Sequence, residues 1–500
     1  MFRASASELG AGDVRRRRRS NRATMDTVTA PSWRSELALD PRGFYRLQNE
    51  TTHGVEVRIF LTDAMLNDID EYVYRQILNA TSFEGVRLVV ITPDVHSGYG
   101  VPVGCVMLTD AKAGAVAMGP VGYDIGCGMI SARSDVSASA ATPEKRLAFN
   151  RGVIERIEMG AGGRSRVLRR LEVAEFERIV RGGADYYATA YSAGVDRSRT
   201  ERNRLPVDDT WQIPWGGRGK PERGVAQLGS LGGGNHFIEL QRAAETDTLF
   251  VQVHTGSRGF GHGLATNYFD LARAEKPEKI KELDLGYFTP ESRHYREYLN
   301  AVSAGGNFAI VNRLIIYEQI AAAFAEVFGA PLDLVYEISH NLVQLEEHPD
   351  FGSVWVHRKG ATRAFPAGHP ALAATQWAQT GHPVLIPGSN FDRSFILRPL
   401  EGARHSAYSV NHGAGRRLSR AAAVRGLDRR AIEDRYRAAG ILVNADNRVP
   451  IDESGPCYKP ARDVVDTIAR AGLAEIQFEL EPLASLKGTE EPFRRRRRGR

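Results

Sequence analysis

The segment Gly122-Tyr123-Asp124-Ile125-Gly126-Cys127-Gly128-Met129 sets a carboxylate and a thiol three positions apart among glycines, in a chain with only three cysteines. Glycines let a backbone turn tightly without Cβ obstruction, and oxygen and sulfur donors need that freedom to converge on one ion. The segment therefore points to a metal site built on a turn. Its remaining ligands are expected among the thirteen histidines, four of which sit in similar small or polar settings: Asn235-His236, His254-Thr255-Gly256-Ser257-Arg258, His340-Asn341 and His412-Gly413-Ala414-Gly415-Arg416.

At 500 residues and 42% hydrophobic content, the chain can bury a large core. No stretch approaches the roughly 18 uncharged apolar residues of a membrane span, so no membrane partner is expected. The arginine run Arg15 to Arg19 leads into polar Ser20-Asn21-Arg22, which argues against export. Cys105, Cys127 and Cys457 cannot form a disulfide framework and fit a reducing cytoplasm. The net charge of +6 is unevenly placed: residues 1–24 carry +5 and residues 494–500 carry +6, leaving about −5 for residues 25–493. Any polyanion must then be held by a local cationic cluster, with the tails adding salt-sensitive attraction. The expected organisation is a basic, disordered tail over residues 1–35, one domain over 36–484 and an Arg-rich tail over 485–500.

Apolar runs predict strands at Val55 to Leu61, Arg87 to Thr92, Val101 to Leu108, Phe237 to Leu240, Leu249 to His254, Leu334 to Ser339 and Val384 to Ile386. Helical periodicity runs from Pro143 to Ala193, Ser303 to Phe328 and Ala421 to Ala439, and Asp196 to Arg223 reads as an exposed loop. The chemical motifs fall at strand ends or between strands, where scaffolds display reactive groups.

These motifs resemble, in the same order, those of RtcB-type RNA ligases: Pro93-Asp94-Val95-His96-Ser97-Gly98-Tyr99-Gly100-Val101-Pro102, the Asp124/Cys127 turn, Leu228 to Phe237, His254 to Gly259, His340-Asn341, Arg358 to Thr362 and His412 to Arg416. The resemblance spans about Leu47 to Ile468. It implies a mixed α/β (α+β) fold, a single large domain with central β-sheets, flanking helices and a deep metal-binding cleft. It also implies GTP- and manganese-dependent joining of an RNA 3′-phosphate or 2′,3′-cyclic phosphate to a 5′-hydroxyl, in RNA repair or tRNA splicing, with an archease-type activator as a further partner.

By that resemblance Asp124, Cys127 and His236 hold one Mn²⁺, and Cys127, His254 and His340 hold a second. His412 carries GMP as a phosphoramidate, a role that suits a nucleophilic imidazole flanked by small residues. Arg258, Lys359 and Arg416 are the expected phosphate-binding cations. Nucleotide contacts are expected from Asn235, Glu239, His340, Asn341, Pro387, Gly388, Ser389, Ser394, Gly413, Ala414, Gly415 and Lys459, the last near the base. One segment departs from the family pattern: Asn390-Phe391-Asp392 stands where Met-Gly-Thr is usual. Phe391 and Asp392 are expected to face the nucleotide phosphates, which implies a divergent paralogue with a shifted substrate. Two other functions fit the residues: a metal-dependent enzyme that caps or processes 3′-phosphates without sealing, and a non-catalytic RNA binder.

Overall fold

The computed structural model describes residues 33–191 and 193–488. The basic runs of both tails, before residue 33 and after residue 488, lie outside the described residues. The chain divides into two units, Met1–Leu37 and Ala38–Arg500. In the first, Trp33–Glu36 forms a 3-10 turn.

The second unit is built on two large sheets. Seven strands form one of them in the order β1 (Ala38–Asp40), β2 (Phe44–Leu47), β3 (Glu56–Ile59), β4 (Val86–His96), β5 (Val103–Asp110), β13 (Gly352–Lys359), β12 (Asn341–His348). Only β3 and β4 pair in parallel, and parallel neighbours need a crossover. It is supplied by α1 (Asp63–Asn67) and α2 (Glu71–Thr81), capped by the side chains of Thr62 and Asp70. The second sheet runs β11 (Asp333–Ser339), β7 (Gly128–Ser137), β9 (Thr248–Thr255), β8 (Phe237–Ala243), β19 (Ala474–Lys487), β16 (Ser394–Pro399), β15 (Val384–Ile386), with β18 (Leu442–Val443) alongside β19. Two small ribbons, β6 (Val116–Ala117) with β10 (Tyr287–Phe288) and β14 (Ala361–Arg363) with β17 (Ser409–Asn411), complete the strands.

The period-2 alternation of the strands shows directly in the core. Leu88/Val90, Val106/Leu108, Val354/Val356 from the first sheet and Val384/Ile386, Phe395/Leu397 from the second share one buried cluster. Leu385 and Ile396, between those pairs, point to the other face and join Met129, Phe250 and Ile338.

Among the helices, α6 (Tyr295–Phe328) packs on the opposite face of β11, where its Arg313 meets Glu337 and Ser339, the residues alternating with Tyr336 and Ile338. The helices α3 (Pro143–Arg156), α4 (Val173–Ala190) and α5 (Arg258–Glu275) pack against α6, while α7 (Arg420–Gly426), α8 (Arg429–Ala438) and α9 (Ala461–Arg470) follow the His412 segment. The periodicity read as one region from Pro143 to Ala193 splits into α3 and α4, since Ile157 is extended and Gly160, Gly162 and Gly163 follow. Asp428 likewise interrupts the third region, its carboxylate accepting the amides of Arg430 and Ala431 to start α8. The 34-residue α6 is long and apolar enough to cross a membrane, yet it is a core helix. Its Asn307, Asn312 and Arg313 are buried and hydrogen-bonded into neighbouring loops. Strand β19 continues to Lys487, three residues past the expected domain boundary, because Leu486 is fully buried and Leu486 and Lys487 pair with Ile238 and Phe237.

Candidate metal and nucleotide site

Four neighbouring strands of the second sheet deliver donors at one of its ends. Cys127 immediately precedes β7, His236 immediately precedes β8, His254 is the penultimate residue of β9 and His340 follows β11. Register then brings them together: Met129 pairs with His254, Phe237 also pairs with His254, and Ser339 pairs with Gly128. Glycine is required at position 128, where a Cβ would overlap the Ile338 carbonyl of β11. The Asp124 carboxylate meets the N-terminus of α5, where the Ser257 amide donates to Oδ1 over 2.8 Å and a Cβ at Gly256 would occupy the same space. Behind the turn, the fully buried Arg313 of α6 donates to the carbonyls of Gly126 (2.6 Å) and Thr255 (3.1 Å) and pairs with Glu337. One guanidinium thus fixes the residues adjoining two donors, Cys127 and His254.

The donor atoms form two groups that share the thiol, Asp124/Cys127/His236 and Cys127/His254/His340, each with its atoms within 4.8 Å of one another. Cys127 Sγ lies 3.2 Å from His254 Nε2 and 3.6 Å from His236 Nε2, and His236 Nε2 lies 3.1 Å from Asp124 Oδ2. The outer nitrogens fix the tautomers: His254 Nδ1 faces the Asn235 carbonyl at 3.1 Å and His236 Nδ1 faces that of Leu231 at 3.0 Å. Each must donate there, which turns the Nε2 lone pairs inward toward the thiol and carboxylate. Burial keeps His254 and His340 neutral by pushing their pKa values well down. Burial also pushes the Cys127 thiol up, with the Asp124 charge adding to it. Inward lone pairs around a buried thiol form an environment for a cation, which would also take the thiol proton's place.

The ring of His412 packs edge-on against His340, 4.8 Å between centroids. His412 Nδ1 lies 2.6 Å from Oδ2 of the buried Asp94, which also accepts the amides of His412 (3.0 Å) and Gly413 (3.2 Å). Thr92 donates its hydroxyl to the other oxygen, Oδ1, over 2.6 Å. Burial would raise the Asp94 carboxyl, but His412 and these donors hold it below the usual carboxylate value. A carboxylate on Nδ1 leaves Nε2 as the basic, nucleophilic atom of His412.

His412 and His254 open onto a pocket walled by Asn235, Phe237 and Glu239 on one side and Pro387 to Asn390 on another. Gly413 to Gly415, Tyr458 and Lys487 close it. Burial raises Glu239 to about 7 despite the Gln241 amide bonded to it over 2.8 Å.

Residues 76–488 match the model of the family described as "tRNA-splicing ligase RtcB". The chain belongs to the RtcB family. Proteins named tRNA-splicing ligase RtcB from Pyrobaculum aerophilum and Thermococcus kodakarensis are 32% and 33% identical to it, over 87% and 86% of this chain and 95% and 94% of theirs. The RNA-splicing ligase RtcB of Mycobacterium tuberculosis is 34% identical over 83% of this chain and all of its own.

Against the sites expected from RtcB resemblance, Asn235, Glu239, Pro387, Gly388, Ser389 and Gly413 to Gly415 all line the pocket. Other positions differ. Lys459 turns away from it, donating to the carbonyls of Pro93 (3.0 Å) and Val95 (2.7 Å), and the pocket's lysine is Lys487, from the stretch read as tail. Arg416 is engaged by Glu453 (3.0 Å), the Asp452 carbonyl (2.6 Å) and the Tyr458 ring, so it shapes the pocket wall through Tyr458. Ser394 sits behind the wall, its hydroxyl accepting from the Gly388 amide (3.1 Å) and Gln241 (3.0 Å). Asn341 bridges loops, accepting from the Gly360 amide (2.8 Å) and donating to the Asp124 carbonyl (3.2 Å).

Lys359 is buried and Arg258 half-buried, both close to the site. Arg258 reaches the carbonyls of Gly160 (3.0 Å) and Ala161 (3.3 Å) beside Gly232, and Lys359 those of Tyr99 (2.6 Å) and Val101 (2.9 Å). Burial lowers Lys359 to about 8. The divergent Phe391 does not face the pocket. It packs on Tyr436 of α8 at 5.0 Å, under Arg435, and Asp392 accepts the Ser389 hydroxyl at 3.0 Å. Neither residue lines the pocket beside His412, so the expectation that they confront phosphates there does not hold.

Proposed function

We propose that this chain is a GTP- and manganese-dependent RNA ligase that joins a 3′-phosphate or 2′,3′-cyclic phosphate end to a 5′-hydroxyl end. The observation that carries the reading is His412, oriented by Asp94 and standing between the metal-ligand cluster and the pocket. His412 Nε2 attacks the α-phosphorus of GTP, forming an N–P bond as the bond to pyrophosphate breaks. An oxygen of the RNA 3′-phosphate then displaces the histidine, which activates that end. The 5′-hydroxyl attacks the activated phosphorus, and GMP leaves. Two divalent ions held by Asp124, Cys127, His236, His254 and His340 would neutralise phosphate charge and align attack with departure.

In this reading Glu239 and Lys487 recognise the guanine edge and Tyr458 flanks the base, while Arg258 and Lys359 supply the local positive charge that the body as a whole lacks. The three cysteines are free and buried, which fits action in the cytoplasm on RNA repair or tRNA splicing. An archease-type activator remains part of the proposal.

The test is incubation with α-labelled GTP and manganese, followed by acid treatment. Acid-labile label on the unaltered chain and none on His412→Ala is expected. His412→Ala should still seal RNA already bearing a 3′-diphosphate-guanosine end. Label persisting in His412→Ala would overturn the assignment, and a labelled enzyme that never seals would favour 3′-end capping.

A further inference from the structure

Tyr99 is a large aromatic residue left 67% exposed, yet the backbone on either side of it is hydrogen-bonded to the side chains of α2. Gln76 of α2 clamps the preceding residue, donating to the Gly98 carbonyl over 2.6 Å and accepting its amide over 2.9 Å. Asn79 holds the following residue through the Gly100 carbonyl, at 2.8 Å. The Tyr99 carbonyl itself accepts the Lys359 ammonium (2.6 Å) and the Val101 amide (2.8 Å). Gly100 has φ +69°, and a Cβ there would strike the Asp284 carbonyl. A ring presented to solvent on a fixed backbone loses little further freedom when something docks on it.

The ring does not stand alone. Tyr99 meets Tyr123 edge-to-face, with centroids 5.7 Å apart and planes at 86°. Tyr123 in turn stacks on the exposed His262 of α5 at 5.2 Å and 26°, and rests on Phe269 at 4.8 Å. Its hydroxyl donates to Asp284 over 2.7 Å, which locks the ring. These residues adjoin the reacting groups. Tyr123 immediately precedes Asp124, and Lys359, bonded to Tyr99, precedes Gly360, whose missing Cβ leaves room for the His412 ring.

Neither Tyr99, Tyr123 nor Asp124 lines the pocket bounded by Glu239, Tyr458 and Lys487. If a nucleotide fills that pocket, a second substrate reaches His412 and the ligand cluster past the Tyr99 side. Resting on the proposed ligase reading, we infer that Tyr99, Tyr123 and His262 form a stacking platform for the nucleobase at an RNA end delivered to His412. Flat π faces accept any base, so the contact positions the end without reading sequence. The neighbouring Asp284 disfavours phosphate, which assigns the platform to the base and leaves the backbone to cations elsewhere.

The test is a fluorescence titration of the full chain with RNA carrying 2-aminopurine as its 3′-terminal or its 5′-terminal nucleotide, set against RNA with an abasic end. The unaltered protein should quench the fluorophore at one terminus, and that terminus identifies which strand stacks. Tyr99→Ala and Tyr99→Leu should lose the quench and bind roughly 5- to 150-fold more weakly, while Tyr99→Trp retains both. Abasic RNA should bind the unaltered and Tyr99→Ala proteins alike. Quenching at neither end, quenching that survives Tyr99→Ala, or an equal loss with abasic RNA would each overturn the platform. Failure of GTP labelling and sealing by the unaltered protein, with the quench intact, would instead sink the ligase reading and leave the platform standing.

Discussion

Replacing Asp94 by asparagine isolates the charge behind His412. Three donors converge on Asp94 Oδ2: the His412 ring and the amides of His412 and Gly413, at 2.6, 3.0 and 3.2 Å. An asparagine would have to keep its carbonyl oxygen there, because its NH₂ would face two backbone N–H groups that cannot turn away. The NH₂ then points at the Thr92 hydroxyl, which can accept as readily as it now donates. The geometry and the imidazole tautomer survive, and only the charge on the bond is lost. Hydrogen bonds to charged groups contribute about 1.5–3 kcal/mol and neutral ones about 0.5–1.5, so losing the charge alone removes about 1–1.5 kcal/mol and His412 labelling by GTP should slow by about 5- to 13-fold in Asp94→Asn. Single-turnover labelling with α-labelled GTP at saturating manganese measures it, alongside a thermal melt close to that of the unaltered protein. A rate within about twofold of the unaltered enzyme would refute the charge argument. A loss on the order of 10⁴ would mean that the amide flips and drives the ring into the wrong tautomer.

Cys127→Ser should stay folded but bind neither ion tightly, since the thiol is shared by both donor groups and a hydroxyl is a poor ligand; metal analysis finding two ions per chain would count against sharing. Glu239 is raised to about 7 by burial, so it is protonated below that pH and ionised above it. If its ionised form receives guanine, apparent GTP affinity should rise about tenfold from pH 6 to pH 8 and level off above pH 7, and Glu239→Gln should flatten the profile. Phe391→Gly should destabilise the fold by about 2 kcal/mol in denaturant melts through lost packing on Tyr436, with GTP affinity unchanged; tighter GTP use would return Phe391 to the pocket.

Asp124, Cys127, His236, His254 and His340, which the structure gathers into two groups able to hold a metal, each sit in a short polar or glycine-rich segment, a local pattern visible in the sequence that His412 shares and that only the family resemblance divided into ligands and nucleophile. The strands themselves were largely legible from alternation, and β15 occupies the predicted Val384 to Ile386. What escaped was what depends on distant packing. Asp94 lies in a quoted motif, but its partner is 318 residues away. Arg313 looks like any cation on an apolar helix until its carbonyl partners are known. Lys487 was assigned to a tail because six arginines follow from residue 494, although the buried Leu486 beside it marks a strand. The direction of Phe391 could not be read, because it is set by α8, an element some forty residues further along.

Strand β19 lies inside the second sheet, between β8 and β16, and carries Lys487 to the pocket, while Asp94, which orients His412, comes from β4 of the other sheet. The pocket and the carboxylate behind its histidine therefore draw on chain segments almost four hundred residues apart. Closing the pocket thus depends on pairing one late strand between two earlier ones, contacts of large sequence separation, whose loop-closure entropy must be met before the pairing stabilises the fold.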